Sequence, residues 1–336
     1  MKKPLSPRKL LLPLVPVYRL GLLLREWRLG TRLEPVRRLR WPVVSIGNLS
    51  TGGAGKTPLT IALAMALERR GLRVDVLSLG YGRRSQRPAH VTPEGTAEEF
   101  GDEPLLIARE TGVPVYVAGQ RFEAGLLAEA DRSADFRFGL HLLDDGFQHR
   151  QLARDVDILL LNGQDWQDGL LPAGNLREPL QALRRAGVIA IPAGEPELEA
   201  ELKAWGWEGP VWRLHRKMEI PAIDGPVVAF CGIARPEQFF TGLEAAGLHI
   251  AARTAFPDHH CYTAADLKRL VTTAQNTGAD ALITTGKDKV RLGKLSSVFP
   301  ESLPLKVAGL HVEIEDEDEV IEWLTDLLTV RKEAVR

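Results

Sequence analysis

The sequence predicts an α/β fold: a mostly parallel sheet flanked by helices, with a smaller C-terminal α/β domain and an N-terminal amphipathic helix. Three observations carry that expectation. From Trp41 onward, short apolar runs alternate with helical stretches, as in strands covered on both faces of a parallel sheet. A glycine-rich loop ending in Lys56-Thr57 joins the first apolar run to the first helix. A second, shorter series of the same kind begins beyond the polar stretch Trp212–Glu219. The 336 residues suit two domains. With 44% hydrophobic and 26% charged residues, a disordered or fibrous chain is excluded. Cys231 and Cys261 are the only cysteines, too few for a disulfide framework and lacking zinc-site spacing, which points to a reducing compartment.

Residues 1–40 form a basic arm. They carry eleven Lys/Arg against two Glu, whereas the whole chain has a net charge of −1. Its apolar run, Leu10 to Leu24, is broken by Pro13, Pro16 and Arg19. As a helix that run would rise about 22 Å, short of the roughly 30 Å hydrocarbon core, so a spanning segment is not expected. A secretory signal is a poor fit, because the basic residues continue to Arg40 and no small-residue cleavage site follows. Leu20, Leu23, Leu24 and Trp27 share one helical face with Arg19, Arg25 and Arg28 toward its sides, the pattern of a helix lying in a membrane interface. A helix packed on its own domain is the plainer alternative.

The first domain is expected over 41–214. Strands are predicted at Val43–Ile46, Val74–Leu79, Val113–Val117, Leu140–Leu143, Val156–Leu161 and Val188–Ile191, with a helix from about Pro58 to Arg70. Trp212–Glu219 reads as a connecting stretch. The second domain, 215–336, is expected to close over the site. Strands Val227–Phe230, His249–Thr254 and Ala281–Thr284 alternate there with helices Pro236–Ala246 and Ala264–Thr277.

The strongest chemical signal is Gly47-Asn48-Leu49-Ser50-Thr51-Gly52-Gly53-Ala54-Gly55-Lys56-Thr57-Pro58. Between a strand and a helix, this is the setting of a P-loop, and it makes the sheet one of the P-loop NTPase type. Backbone N–H groups of such a loop converge on phosphate oxygens, and the helix N-terminus adds favourable partial charge. Asn48, Thr51, Gly52, Gly53, Ala54, Gly55, Lys56 and Thr57 are therefore the candidate nucleotide contacts. Lys56 would reach the terminal phosphates and the Thr57 hydroxyl would ligate Mg²⁺. Ser50 stands where the usual first glycine would be. The strand Leu140–Leu143 runs into Asp144-Asp145, a Walker-B carboxylate pair for the metal. Together these predict ATP and Mg²⁺ as cofactors and leave the acceptor open.

Five polar clusters remain: Gly80–Arg84, Gly101–Pro104, Asp145–Arg150, Leu171–Pro179 and Phe256–His260. Phosphoryl transfer to a hydroxyl needs a base, cations on the phosphates and exclusion of water. An Asp–His couple and arginines such as Arg177 would supply these.

Jointly, the loop beginning Gly-Asn and ending Gly-Lys-Thr-Pro, the run Asp-Asp-Gly-Phe-Gln-His and the run Leu-Arg-Glu-Pro resemble the tetraacyldisaccharide 4′-kinases of lipid A biosynthesis. The resemblance covers nearly the whole chain. It implies a membrane-associated kinase on the cytoplasmic face of the bacterial inner membrane that phosphorylates the 4′-hydroxyl of a tetraacylated glucosamine disaccharide 1-phosphate. It also implies a base at Asp102, coupled to His259, with Lys56 in catalysis. Tyr81, Arg121, His149, Arg177 and Glu178 are the implied substrate contacts. Closure of the second domain is expected to bring His259 to Asp102 only when both substrates bind. Two positions depart from the family pattern, Leu79 for an arginine and Gly286 for a glutamate. Nucleic acid is not an expected partner, because the basic arm is apolar with few aromatics. A monomer is the default. The rival reading is a membrane-associated P-loop switch ATPase, which places a lysine where this chain has Thr51 and needs no Arg177-Glu178 loop.

Overall fold

The computed structural model describes residues 7–31, 34–53, 55–131 and 139–334. Twelve strands make one sheet: β1 (Val43–Asn48), β2 (Val74–Ser78), β3 (Ala89–His90), β4 (Val115–Val117), β5 (Leu140–Asp144), β6 (Val156–Leu160), β7 (Val188–Pro192), β8 (Val211–Glu219), β9 (Val227–Cys231), β10 (Ile250–Ala255), β11 (Ala281–Thr285) and β12 (Leu305–Ile314). Their spatial order is β10-β9-β11-β12-β8-β7-β6-β1-β5-β2-β4-β3. All pairings are parallel except β3 with β4 and β8 with β12. β1, β2, β5 and β9 are buried throughout, which explains why they are largely apolar without alternation, and their few polar residues, such as Ser45, Asp75 and His141, are buried too.

The expectation of a connecting stretch at Trp212–Glu219 is corrected, since this segment is β8. Its first half alternates, with Trp212 and Leu214 inward and Arg213 and His215 outward. The outward charges pair with acids on neighbouring segments: Arg213 with Glu199 and Glu315, His215 with Glu315, Lys217 with Glu313. Those partners are remote in sequence, so a half-buried strand reads locally as polar loop. β12 is shared between the two halves of the sheet. Leu305–Ala308 pairs with β11, and Gly309–Ile314 pairs antiparallel with β8. Beyond it, the helix Glu317–Ala334 returns to the first half, where Ile321, Leu324 and Leu328 join the core under the helix Lys56–Arg69. The boundary expected at 214/215 therefore falls within β8.

The arm is a 3₁₀ turn over Pro7–Leu14 followed by a helix over Val15–Gly30. That helix is tied down by its polar side chains. Tyr18 donates to the Arg177 carbonyl at 2.8 Å, Arg25 donates to the Gln148 carbonyl, and Glu26 pairs with Arg150. Leu29 is buried, but most of the apolar side chains stay outside: Val17, Leu20, Leu23, Leu24 and Trp27 are each more than half exposed, beside Leu10 at 83%. No helix among the described residues is long and apolar enough to cross a membrane.

Candidate active site

The site gathers at the carboxyl ends of β1, β2 and β5. Gly47 near the end of β1 must be glycine, because a β-carbon there would stand 2.5 Å from that of Phe147. This close approach lets the Asp145–His149 turn lie against the P-loop strand. The loop is braced from the other side by residues 171–177: Thr51 N–H donates to the Asn175 carbonyl at 2.9 Å, and Arg177 N–H donates to that of Leu49. Gly55 takes φ 92° and caps the helix that starts at Lys56. The Lys56 ammonium donates to Asn48 Oδ1 at 2.9 Å and lies 3.4 Å from Asp145.

The two Walker-B aspartates have separate surroundings. Asp144 is buried at the end of β5 and accepts from Thr60 at 3.1 Å. Burial and the nearby Glu103 and Asp145 carboxylates push its carboxyl up. Asp145 takes φ 47°, uncommon for a residue with a β-carbon. Burial opposes its ionisation, but Lys56, Arg177 and Arg121 hold its carboxyl below the usual range. Arg177 Nη1 is 3.2 Å from Asp145 Oδ2, and Arg121 donates to the Asp145 carbonyl at 3.0 Å. Arg121 is buried, and its Nε has no hydrogen-bond partner among the described residues, a free donor suited to an anionic oxygen.

Thr57, Asp144 and Asp145 fit a divalent cation by donor chemistry. All are oxygen donors, and the raised Asp144 carboxyl marks negative charge in need of compensation. Among the described residues no three His, Cys, Asp or Glu side chains converge as a protein-only cage.

Opposite the P-loop stands a second cluster. Asp102 opens the helix Asp102–Thr111 and is 5% exposed. Gly101 before it takes φ 90°, and a β-carbon there would stand 2.8 Å from Gly80 Cα. The two glycine turns therefore touch, which brings Tyr81 to the same place. The Tyr81 and His259 ring centroids are 5.0 Å apart. His259 Nδ1 lies 3.1 Å from Asp102 Oδ2, so the couple assigned above to closure is assembled in this structure. Its bond to Asp102 raises the His259 pKa, even though burial and Arg291 work against that. Burial also opposes ionisation of Asp102, yet the His259 bond and the Arg291, His259 and Lys287 charges hold its carboxyl well below the usual range. His260 is engaged elsewhere, 3.1 Å from Asp266 and stacked on Phe256.

Both clusters border one cavity of about 750 Å³. Gly52, Gly53, Gly55, Lys56, Thr57, Tyr81, Arg121, Asp144, Asp145, Arg177 and His259 line it. Asn48, Thr51, Asp102, His149 and Glu178 stand off the wall. Asn48 holds Lys56 and Asp102 holds His259, as above. Glu178 is buried against Arg185 at 2.7 Å. His149 is pushed down to about 4 by burial and by Arg121, Arg154 and Arg25, and is neutral at pH 7. Ala54 lies outside the described residues.

Three lining or supporting residues, Arg216, Arg235 and Arg291, escaped the sequence reading. Arg216 and Arg235 approach the P-loop glycines from the second half of the sheet. Glu103 binds Lys287, and Arg291 binds Asp102 at 2.6 Å. The run Thr285–Asp288 was a signal for the last pair, since Arg291 lies one helical turn beyond Asp288. Leu79 lines the cavity. At Gly286 a β-carbon would stand 3.5 Å from Glu110 Oε1, so a carboxylate from another helix reaches that place.

The family model described as tetraacyldisaccharide-1-P 4′-kinase (LpxK) matches residues 7–329. The tetraacyldisaccharide 4′-kinase of Koribacter versatilis is 41% identical, with 95% of this chain and 99% of that protein covered. That of Syntrophus aciditrophicus is 37% identical, with 93% and 91% covered. A crystal structure of LpxK from Aquifex aeolicus in complex with ATP superposes with a TM-score of 0.74 at 30% identity, covering 96% of this chain and all of the other. The matched length, the identity and the superposition agree: this chain belongs to the tetraacyldisaccharide-1-P 4′-kinase family.

Proposed function

We propose that the chain transfers the γ-phosphoryl group of ATP to the 4′-hydroxyl of a tetraacylated glucosamine disaccharide 1-phosphate, giving lipid IVA. One observation carries the chemistry: Lys56 and His259 border the same cavity, with Asp102 directly behind His259. His259, rather than the Asp102 that the resemblance implies, takes the hydroxyl proton, at Nε2, because His259 borders the cavity while Asp102 stands behind it and orients it through Nδ1. The freed oxygen attacks the γ-phosphorus, and the bond to the ADP oxygen breaks with its electron pair leaving on ADP. Lys56, Arg177 and Arg121 neutralise the phosphate oxygens as charge shifts toward the leaving group. Thr57, Asp144 and Asp145 are the residues that would hold Mg²⁺, which supplies further positive charge at the phosphates. With γ-labelled ATP, Mg²⁺ and the 1-phosphorylated lipid in detergent micelles, label is expected in the lipid phase. Release of orthophosphate alone would favour the switch ATPase.

In this reading residues 1–40 bring the enzyme to the bilayer, 41–214 carry the P-loop and 215–336 close over the site, bending at the β8–β12 ribbon. A lipid with four acyl chains is held in the membrane by about 0.8 kcal/mol per buried CH₂, so the catalyst must come to it. The bare leucines of the arm and its basic residues suit an anionic surface. With ATP as the phosphoryl donor, that surface in this reading is the cytoplasmic one. Changing Leu20, Leu23 and Leu24 together to Ser should cut co-sedimentation with phosphatidylglycerol-containing vesicles by about tenfold. Turnover of detergent-dispersed lipid should stay within about twofold, because these side chains are exposed on the surface of the arm. Unchanged sedimentation would remove the arm from the membrane account.

A further inference from the structure

Asp102 and His259 reach each other from opposite halves of the sheet, and a third residue sits between them. Arg291 is 6% exposed in its side chain and lies on the short helix Gly286–Leu292. Its Nε donates to Asp102 Oδ2 at 2.6 Å, and Nη2 meets the same carboxylate and lies 3.4 Å from His259 Nδ1. Nη1 donates to Asp288 Oδ1 at 3.1 Å and to the Gly232 carbonyl. That same carbonyl accepts from His259 N–H at 3.2 Å. Asp288 is fully buried and is itself fixed by Gly232 N–H, by Tyr262 at 2.9 Å and by Thr285 at 2.6 Å. One guanidinium thus grips the carboxylate of one partner and the loop that forces the other into φ 57°.

We infer that Arg291 is a positioning residue for phosphoryl transfer: it locks Asp102 and His259 together and supplies a fixed positive charge beside the imidazole. The inference rests on the Asp102–His259 reading above and extends it. The planar fork bridges two carboxylates, which a lysine cannot reproduce. The charge disfavours the imidazolium, so more of His259 is in the form that accepts a proton. The groups facing His259 are Asp258 from its own loop, Asp102 from the helix Asp102–Thr111, the Tyr81 ring from the β2 loop and Arg291. Behind them, Lys287 is paired with Glu103, and Asp288 is paired with Arg291.

The test compares pH profiles of kcat/KM for Arg291→Gln and Arg291→Lys, with His259→Asn as control. Arg291→Gln should lower kcat about 100-fold. It should also move the acidic limb up by about one pH unit, because a cation beside the histidine is lost. Arg291→Lys should lower kcat but leave the limb in place, and ethylguanidinium should partly restore Arg291→Gln. KM for ATP should stay near the parent value in both, which shows that the fold is intact. If Arg291→Gln loses activity equally at every pH, or keeps full activity, the inference fails while the dyad reading stands. If His259→Asn keeps full activity, the dyad reading falls and takes the inference with it.

Discussion

Lys56→Met should lower kcat for lipid phosphorylation by about 10³-fold. The ammonium is held by Asn48 Oδ1 at 2.9 Å and leans toward Asp145 at 3.4 Å, so it is ordered before any phosphate arrives. Preorganised charge is what a phosphoryl transition state needs, because charge shifts toward the leaving oxygens and the surrounding dipoles have no time to rearrange. Removing the lysine also leaves Asp144 and Asp145 beside the phosphates with one neutralising partner fewer, so repulsion is added to the lost attraction. Affinity for ATP should fall less than kcat, since backbone N–H groups of the loop remain. Single-turnover measurements with γ-labelled ATP separate the two effects. Melting curves should show the variant folded, because methionine fills the same channel. A variant retaining more than about a tenth of the parent kcat would show that Lys56 is not central to transfer.

The nucleotide side of this site was legible in the sequence because its determinants are local. The strand, glycines, Lys56-Thr57 and helix stand within fifteen residues, and their geometry follows from backbone rules that any reader can apply. Asp144-Asp145 was legible because it terminates an apolar run. The acceptor side was only partly legible. Asp102 and His259 are 157 residues apart, and their pairing came from family resemblance rather than from spacing. Arg291, 189 residues from Asp102, was missed altogether, because an ion pair between the two halves of the sheet leaves no periodic trace. β8 was missed for a related reason. Its outward charges have remote partners, so a window around residues 212–219 sees only polarity. The folded chain hides there what hydrophobic patterning reveals elsewhere: alternation matters only once the covering face is known.

Asp102→Asn and His259→Ala are each expected to lower kcat by 10² to 10⁴-fold, a range typical for loss of positioned acid–base catalysis. The double variant should be little worse than the poorer single one. Each residue works only through the other, across one bond of 3.1 Å, so removing either already removes the unit. The pH dependence gives an independent check with a defined sign. His259 must be neutral to accept a proton, and its pKa is raised above the ordinary histidine value of 6.5 by the Asp102 bond. Activity in the parent enzyme should therefore fall as pH drops through a value above 6.5. In Asp102→Asn the raising partner is gone, so the residual activity should persist to lower pH. This shift is opposite to the one expected on removing Arg291, because a carboxylate and a guanidinium act on the same imidazole with opposite signs. Fully multiplicative losses in the double variant, together with an acidic limb that ignores both substitutions, would mean that proton removal happens elsewhere. The Asp102–His259 pair would then serve only to join the two halves of the sheet.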